Sequence, residues 1–150
     1  MNQSLKNYFT LARSKESQHQ NIVRDLKCFL KSLGVSDTII TLEDEHDLSA
    51  AEISKLDTFF SSYLSGIPLD YILNESEFMG YKFYVDSRVL IPRPETELIT
   101  QRCTQLYKQR KLHPRLKGLD IGTGSGILAL SLKLEIPDST WVATDVSIEC

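Results

Sequence analysis

Residues 119–128 read LDIGTGSGIL, an apolar strand that runs into three glycines at alternate positions and then into a helix. Gly122, Gly124 and Gly126 have no β-carbon, so the turn can take φ values closed to other residues. A nucleotide-type cofactor could then approach the main chain directly. The spacing predicts a helix beginning near Ser125, with its free N–H groups and positive dipole end aimed at that space. The dinucleotide fingerprint G-x-G-x-x-G needs Gly or Ala at 127, where this chain has Ile127.

Working outward, Ile127, Leu130, Ser131 and Leu134 mark one mostly apolar helical face, and Pro137 ends the helix. Thr140 to Thr144 (TWVAT) reads as a second, buried strand with Asp145 at its tip. Strand, glycine turn, helix, strand and acid form half of a mononucleotide-binding unit. A carboxylate there can accept hydrogen bonds from both hydroxyls of a ribose. An Asp at a strand end is also a common turn residue. Its pairing with Asp120, 25 positions earlier (145 − 120 = 25), favours the ligand reading. The run D-x-G-x-G-x-G from Asp120 to Gly126 resembles S-adenosylmethionine sites, and Ile127 disfavours NAD.

Composition bounds the classes that remain. At 150 residues, 41% hydrophobic and 25% charged, the chain has the makeup of one ordinary domain or two small ones. Net charge is −3, so no overall basic field recruits nucleic acid. The acidity sits in the first half, where residues 1–70 carry 7 basic and 10 acidic side chains against 10 of each in 71–150. Cys28, Cys103 and Cys150 are far apart and show no C-x-x-C spacing. His19, His46 and His113 have no ligand spacing with them, so neither a disulfide framework nor a metal site is expected. No run has the length of a transmembrane span and Met1–Asn7 is mostly polar, so a cytoplasmic protein without membrane contact is expected.

The first third reads as helices. Leu5, Tyr8, Phe9 and Ala12 keep helical spacing, as do Ile22, Val23, Leu26, Phe29, Leu30 and Leu33 before Gly34. Ser49 opens a capping box with Glu52, followed by Ile53, Leu56, Phe59, Phe60, Tyr63 and Leu64 on one face. Gly66 and Pro68 stop that helix. These stripes read as the mutual core of a small bundle. Beyond Leu69 the period changes, and Glu77–Val85 (EFMGYKFYV) predicts a short hairpin around Gly80. Pro94 suits the first position of a helix, with Glu95 and Glu97 complementing its dipole. That helix runs through Leu98, Ile99, Arg102, Cys103 and Leu106 to the polar Lys108–Lys111, and His113-Pro114 leads to the glycine strand. Arg93, between two prolines, reads equally as a site residue or as part of a rigid turn.

Over Gly66–Asp145 the chain resembles the N-terminal portion of the release-factor glutamine N5-methyltransferase family (PrmC/HemK). The stretches GIPLDYIL, Phe78–Phe83, VLIPRPETEL at Val89–Leu98 and LDIGTGSG resemble its signatures in their order. The PRPETE run is far more specific than any glycine loop. Residues 1–65 match only in being helical, as fits a family whose N-terminal helical domain varies. Asn74 departs from a frequent Gly, a change Asn tolerates because it enters the left-handed region readily.

The resemblance implies an α+β chain in two parts. Residues 1–66 would be a helical release-factor-binding domain and 67–93 a β-hairpin linker. Residues 94–150 would begin a class I (Rossmann-like) S-adenosylmethionine-dependent methyltransferase α/β domain. It implies transfer of a methyl group to the side-chain amide of the glutamine in the Gly-Gly-Gln motif of peptide-chain release factors, in translation termination. Gly122, Thr123, Gly124, Ser125, Gly126 and Asp145 would hold S-adenosyl-L-methionine. The family's Asn-Pro-Pro-Tyr loop, which holds the amide, is absent, so no catalytic residue is expected within the 150 residues. Apolar Leu119, Ile121, Trp141 and Val142 would then lack neighbours, and the chain alone is expected to be inactive. Two other readings stay open: a non-catalytic release-factor-binding fragment, and a nucleic-acid adenine-N6 methyltransferase, against which the lack of basic surplus counts.

Overall fold

The apolar spacing of the first half closes into a helical core. The structure is a computed structural model that describes residues 4–43, 46–113 and 115–150. Contacts divide the chain into two compact units, residues 1–73 and 74–150. In the first, α1 (Leu5–Lys15), α2 (Ile22–Ser32) and α4 (Ala50–Leu64) pool their stripes. Leu5, Phe9, Ile22, Leu26, Leu30, Leu56 and Phe59 are wholly buried there. Each such side chain contributes roughly 1.5–3 kcal/mol by leaving water. Phe29 and Phe59 stack with ring centroids 4.6 Å apart.

The boundaries follow local chemistry. The Ser49 side chain accepts from the Glu52 N–H, and the Glu52 carboxylate accepts from the Ser49 N–H at 2.8 Å, the expected capping box. Gly34 and Gly66 take φ of 84° and 86° just past α2 and α4. Two short helices have no counterpart in the sequence reading. They are α3 (Asp37–Leu42), capped by Ser36, and α5 (Leu69–Leu73), whose Leu69, Ile72 and Leu73 lie against the core.

Two tyrosines tie polar groups into this unit. The Tyr8 hydroxyl donates to Asp57 Oδ1 and the Tyr63 hydroxyl to Asp25 Oδ2, both at 2.7 Å. Asp25 is buried and also accepts from Arg24 Nε at 2.8 Å. Burial, then the neighbouring carboxylate, pushes both phenols up to about 12.

In the second unit, β1 (Ser76–Phe78) and β2 (Tyr81–Phe83) pair antiparallel. Their two-residue turn puts Met79 and Gly80 at φ 54° and 76°, the pattern of a type I′ turn. Asn74 sits at φ 51°, the left-handed conformation that its side chain tolerates. Pro94 opens α6 (Pro94–Lys108), as its fixed φ favours. Then β3 (Lys117–Ile121), α7 (Ile127–Glu135) and β4 (Thr140–Thr144) make one β-α-β unit. The strands are parallel, with Leu119 opposite Val142 and Asp120 opposite Ala143.

Three expectations need correction here. α7 begins at Ile127 rather than near Ser125, because Gly126 at φ 73° is its N-cap. Its buried residues are Ile127, Ala129, Ser131 and Leu132, whereas Leu130 and Leu134 are half exposed. The helix is apolar nearly all round, so spacing alone could not choose the inward face. β4 is not buried: its Val142 is 56% exposed, and Leu119 and Ile121 of the paired β3 are 59% and 78% exposed on the same two-stranded sheet. Such a sheet becomes buried only when layers cover both faces. The loop expected at His113-Pro114 falls partly outside the described residues.

Candidate functional site

The glycine turn is held by the end of the neighbouring strand. The N–H groups of Gly122 and Thr123 both donate to the Thr144 carbonyl, at 2.8 and 3.0 Å. The Gly124 N–H donates to Asp145 Oδ2 at 2.8 Å. Inside the turn, the Thr123 hydroxyl donates to Asp120 Oδ2 at 2.7 Å and the Gly126 N–H to the Thr123 carbonyl at 2.9 Å. The turn and the strand-tip acid, which the sequence groups in one half-unit, are thus joined directly.

Backbone conformation explains why glycine occupies these positions. Gly122 and Gly124 lie at φ 75° and 52°, and a β-carbon built on either has open space within 4 Å. The turn is therefore bare where a ligand would meet the main chain. Ser125 borders a cleft of about 270 Å³ shared with Phe83, Tyr84, Asp86, Arg88 and Val89. Gly126 offers no side-chain cap to α7, so the first-turn N–H groups depend on other acceptors.

Asp145 is the charged group of this arrangement. The Ser147 N–H, then the Gly124 N–H, hold its carboxyl below the usual range, because both bonds favour the ionised form. With one N–H on each oxygen, the carboxylate keeps lone pairs for further donors such as hydroxyls. The described residues contain no group of three or more His, Cys, Asp or Glu placed to hold a metal ion. None of the helices described is long and apolar enough to cross a membrane.

Two contacts escaped the sequence reading. The Glu97 carboxylate accepts from the Met79 N–H at 2.8 Å, tying the PRPETE helix to the hairpin turn. The Asp120–Thr123 bond could have been suspected from their i, i+3 spacing. Arg93 is exposed, in extended conformation, and makes no capping bond to α6.

Comparison with known proteins gives these residues a setting. No family model matches the chain. It is 38% identical to a release factor glutamine methyltransferase of Chlorobaculum tepidum over 121 residues, covering 78% of this chain and 40% of that protein. The Staphylococcus aureus protein of the same name is 40% identical over 114 residues, covering 76% and 38%. A Bradyrhizobium diazoefficiens protein of that name is 32% identical over 138 residues, covering 91% and 46%. The chain spans less than half the length of these curated relatives.

Proposed function

We propose, from the chain's kinship with the release factor glutamine methyltransferases, that it is the N-terminal portion of an S-adenosylmethionine-dependent protein-glutamine methyltransferase. The acceptor would be the side-chain amide of the glutamine in a release factor's Gly-Gly-Gln motif, methylated in the cytoplasm. Residues 1–66 would engage the release factor, 67–93 would link, and 94–150 would begin the class I (Rossmann-like) cofactor domain. The observation that carries the reading is the Gly124–Asp145 hydrogen bond, which unites glycine turn and acid in one half-site.

The geometry of the turn supports this choice of cofactor. The bare backbone at Gly122 and Gly124 would lie against the methionine part, and Asp145 would accept from the ribose hydroxyls. When bound, S-adenosylmethionine supplies a methyl carbon on a good sulfonium leaving group. The acceptor amide is a poor nucleophile because its lone pair is delocalised. Rate then depends on holding nitrogen, methyl carbon and sulfur in line. Thr123 and Ser125 shape the turn that sets the donor, and the described residues supply no group assigned to the amide.

The test is calorimetric titration of S-adenosylmethionine into the chain and into a full-length version, alongside a labelled-methyl transfer assay with release factor. We expect Asp145-dependent cofactor binding in the full-length version and no transfer by the 150-residue chain. Label on the factor's glutamine from the short chain would show that the catalytic groups are misplaced.

A further inference from the structure

The whole-chain charge of −3 conceals a segment of opposite character. Between Glu97 and Asp120 there is no acidic residue, while Arg102, Lys108, Arg110, Lys111, Arg115 and Lys117 all fall in that interval. These are 6 of the 17 Lys and Arg side chains of the protein. Five of them cluster where α6 turns into β3, and all five are exposed. Among the described residues none of these five is held in an ion pair, whereas Arg13, Arg24, Lys27, Lys31, Lys82 and Arg88 each face a carboxylate.

The turn itself is built with care. The Lys111 N–H donates to the Leu106 carbonyl and the Arg110 N–H to the Tyr107 carbonyl, at 3.0 and 2.9 Å. That is a Schellman closure of α6, with Arg110 at the left-handed position (φ 57°) that glycine ordinarily fills. A side chain there is disfavoured relative to glycine, because its β-carbon crowds the backbone. The result is a cleft of about 510 Å³ lined by Tyr107, Lys108, Arg110 and Leu112. The negative end of the α6 dipole accounts for cations at 108–111. It does not reach Arg115 and Lys117, which lie beyond the helix.

We propose that this basic turn binds single-stranded nucleic acid, the five cations tracking the phosphodiester backbone and the Tyr107 cleft receiving an unpaired base. One phosphate would not use five cations spread from the helix end to the first residue of β3. A duplex would offer no unpaired base to the cleft. Interleaved aromatic and cationic side chains in a groove are what sequence-tolerant single-strand binding requires. His113 fits the same role: its Nδ1 accepts from the Arg115 N–H at 3.0 Å, which leaves Nε2 to carry a donor proton. The surface lies outside the glycine turn and stands or falls independently of methyl transfer.

The experiment is fluorescence anisotropy of labelled 12-nucleotide poly-U RNA and poly-dT DNA with the full 150-residue chain, across a salt series. Full neutralisation of five phosphates gives a slope of log K against log salt of about −3.5. Arg110→Gln with Lys111→Gln should flatten that slope by about 1.4. Gln at all of 108, 110, 111, 115 and 117 should abolish binding while circular dichroism stays unchanged. Lys31→Gln with Lys55→Gln, in the helical unit, should leave binding intact. Tighter binding of RNA than DNA, or the reverse, identifies the source of the strand. No anisotropy change at low salt, binding that survives the fivefold neutralisation, or equal competition by a poly-glutamate peptide overturns the proposal.

Discussion

The Asp145 carboxylate and the Gly124 amide, 21 residues apart in sequence, meet at 2.8 Å and lock the glycine turn to the tip of β4. The bond has a pH signature. A carboxyl held below its ordinary value of 3.8 contributes stability that is present above that value and is lost as pH falls through the lowered one. The Gly124 amide resonance should therefore titrate below the ordinary carboxylate range. A midpoint at or above 3.8 would contradict the assigned partners. In a full-length version, Asp145→Ala should weaken cofactor binding by about 1–3 kcal/mol, read by calorimetry.

Gly124→Val should be more damaging than Asp145→Ala. Space around the position is open, so the injury comes from forcing a β-branched residue to φ 52°, besides filling the approach to the backbone. Cofactor affinity in the full-length version should drop further than in Asp145→Ala. Equal affinity to wild type in both variants would remove the turn from the site.

Gly118 is required for a different reason. A β-carbon on it would stand 2.1 Å from Cζ3 of Trp141, its cross-strand neighbour. The indole cannot swing away freely, since its N–H donates to Ser139 Oγ at 2.8 Å. Gly118→Ala should cost about 1–3 kcal/mol in the second unit by overpacking. Trp141 is the single tryptophan, so its fluorescence during urea unfolding reports this directly. An unshifted midpoint would mean that the strands pair differently.

The helical unit should show alkaline sensitivity from Tyr8 and Tyr63. Phenols raised to about 12 contribute stability that is complete below pH 10 and lost as pH climbs through 12. A phenolate absorbance titration should show a late phase near 12 that shrinks in Tyr63→Phe. The same substitution removes one donor from buried Asp25 and should destabilise the unit by about 1–3 kcal/mol. An unchanged late phase would place the raised phenols elsewhere.

What could be read beforehand divides along the range of the interactions involved. The Ser49–Glu52 box, Pro94 at the start of α6 and the hairpin turn before Tyr81 are set by residues within four positions of each other. Those features were legible. α3 and α5 were not, because six and five residues give too few turns for a periodic signal. On α7 the expected Ile127 and Ser131 are buried, but Leu130 and Leu134 are not, because they are as apolar as the Ala129 and Leu132 that take the inward places. In the candidate site the glycines and Asp145 could be named from sequence. Their joining through Gly124, and the hold of Glu97 on Met79, depend on pairs 21 and 18 residues apart that no local pattern displays.

Among the described residues, the contacts named for the glycine turn come from one β-α-β unit: Asp120 on β3, Thr144 at the end of β4 and Asp145 just past it. Closing a loop over so short a span is entropically cheap, and doubling its length would add only about 0.6 kcal/mol. The curvature of the turn is consequently a property of residues 117–145 as a portable β-α-β cassette. Changes elsewhere in a longer protein would leave the shape of this turn intact.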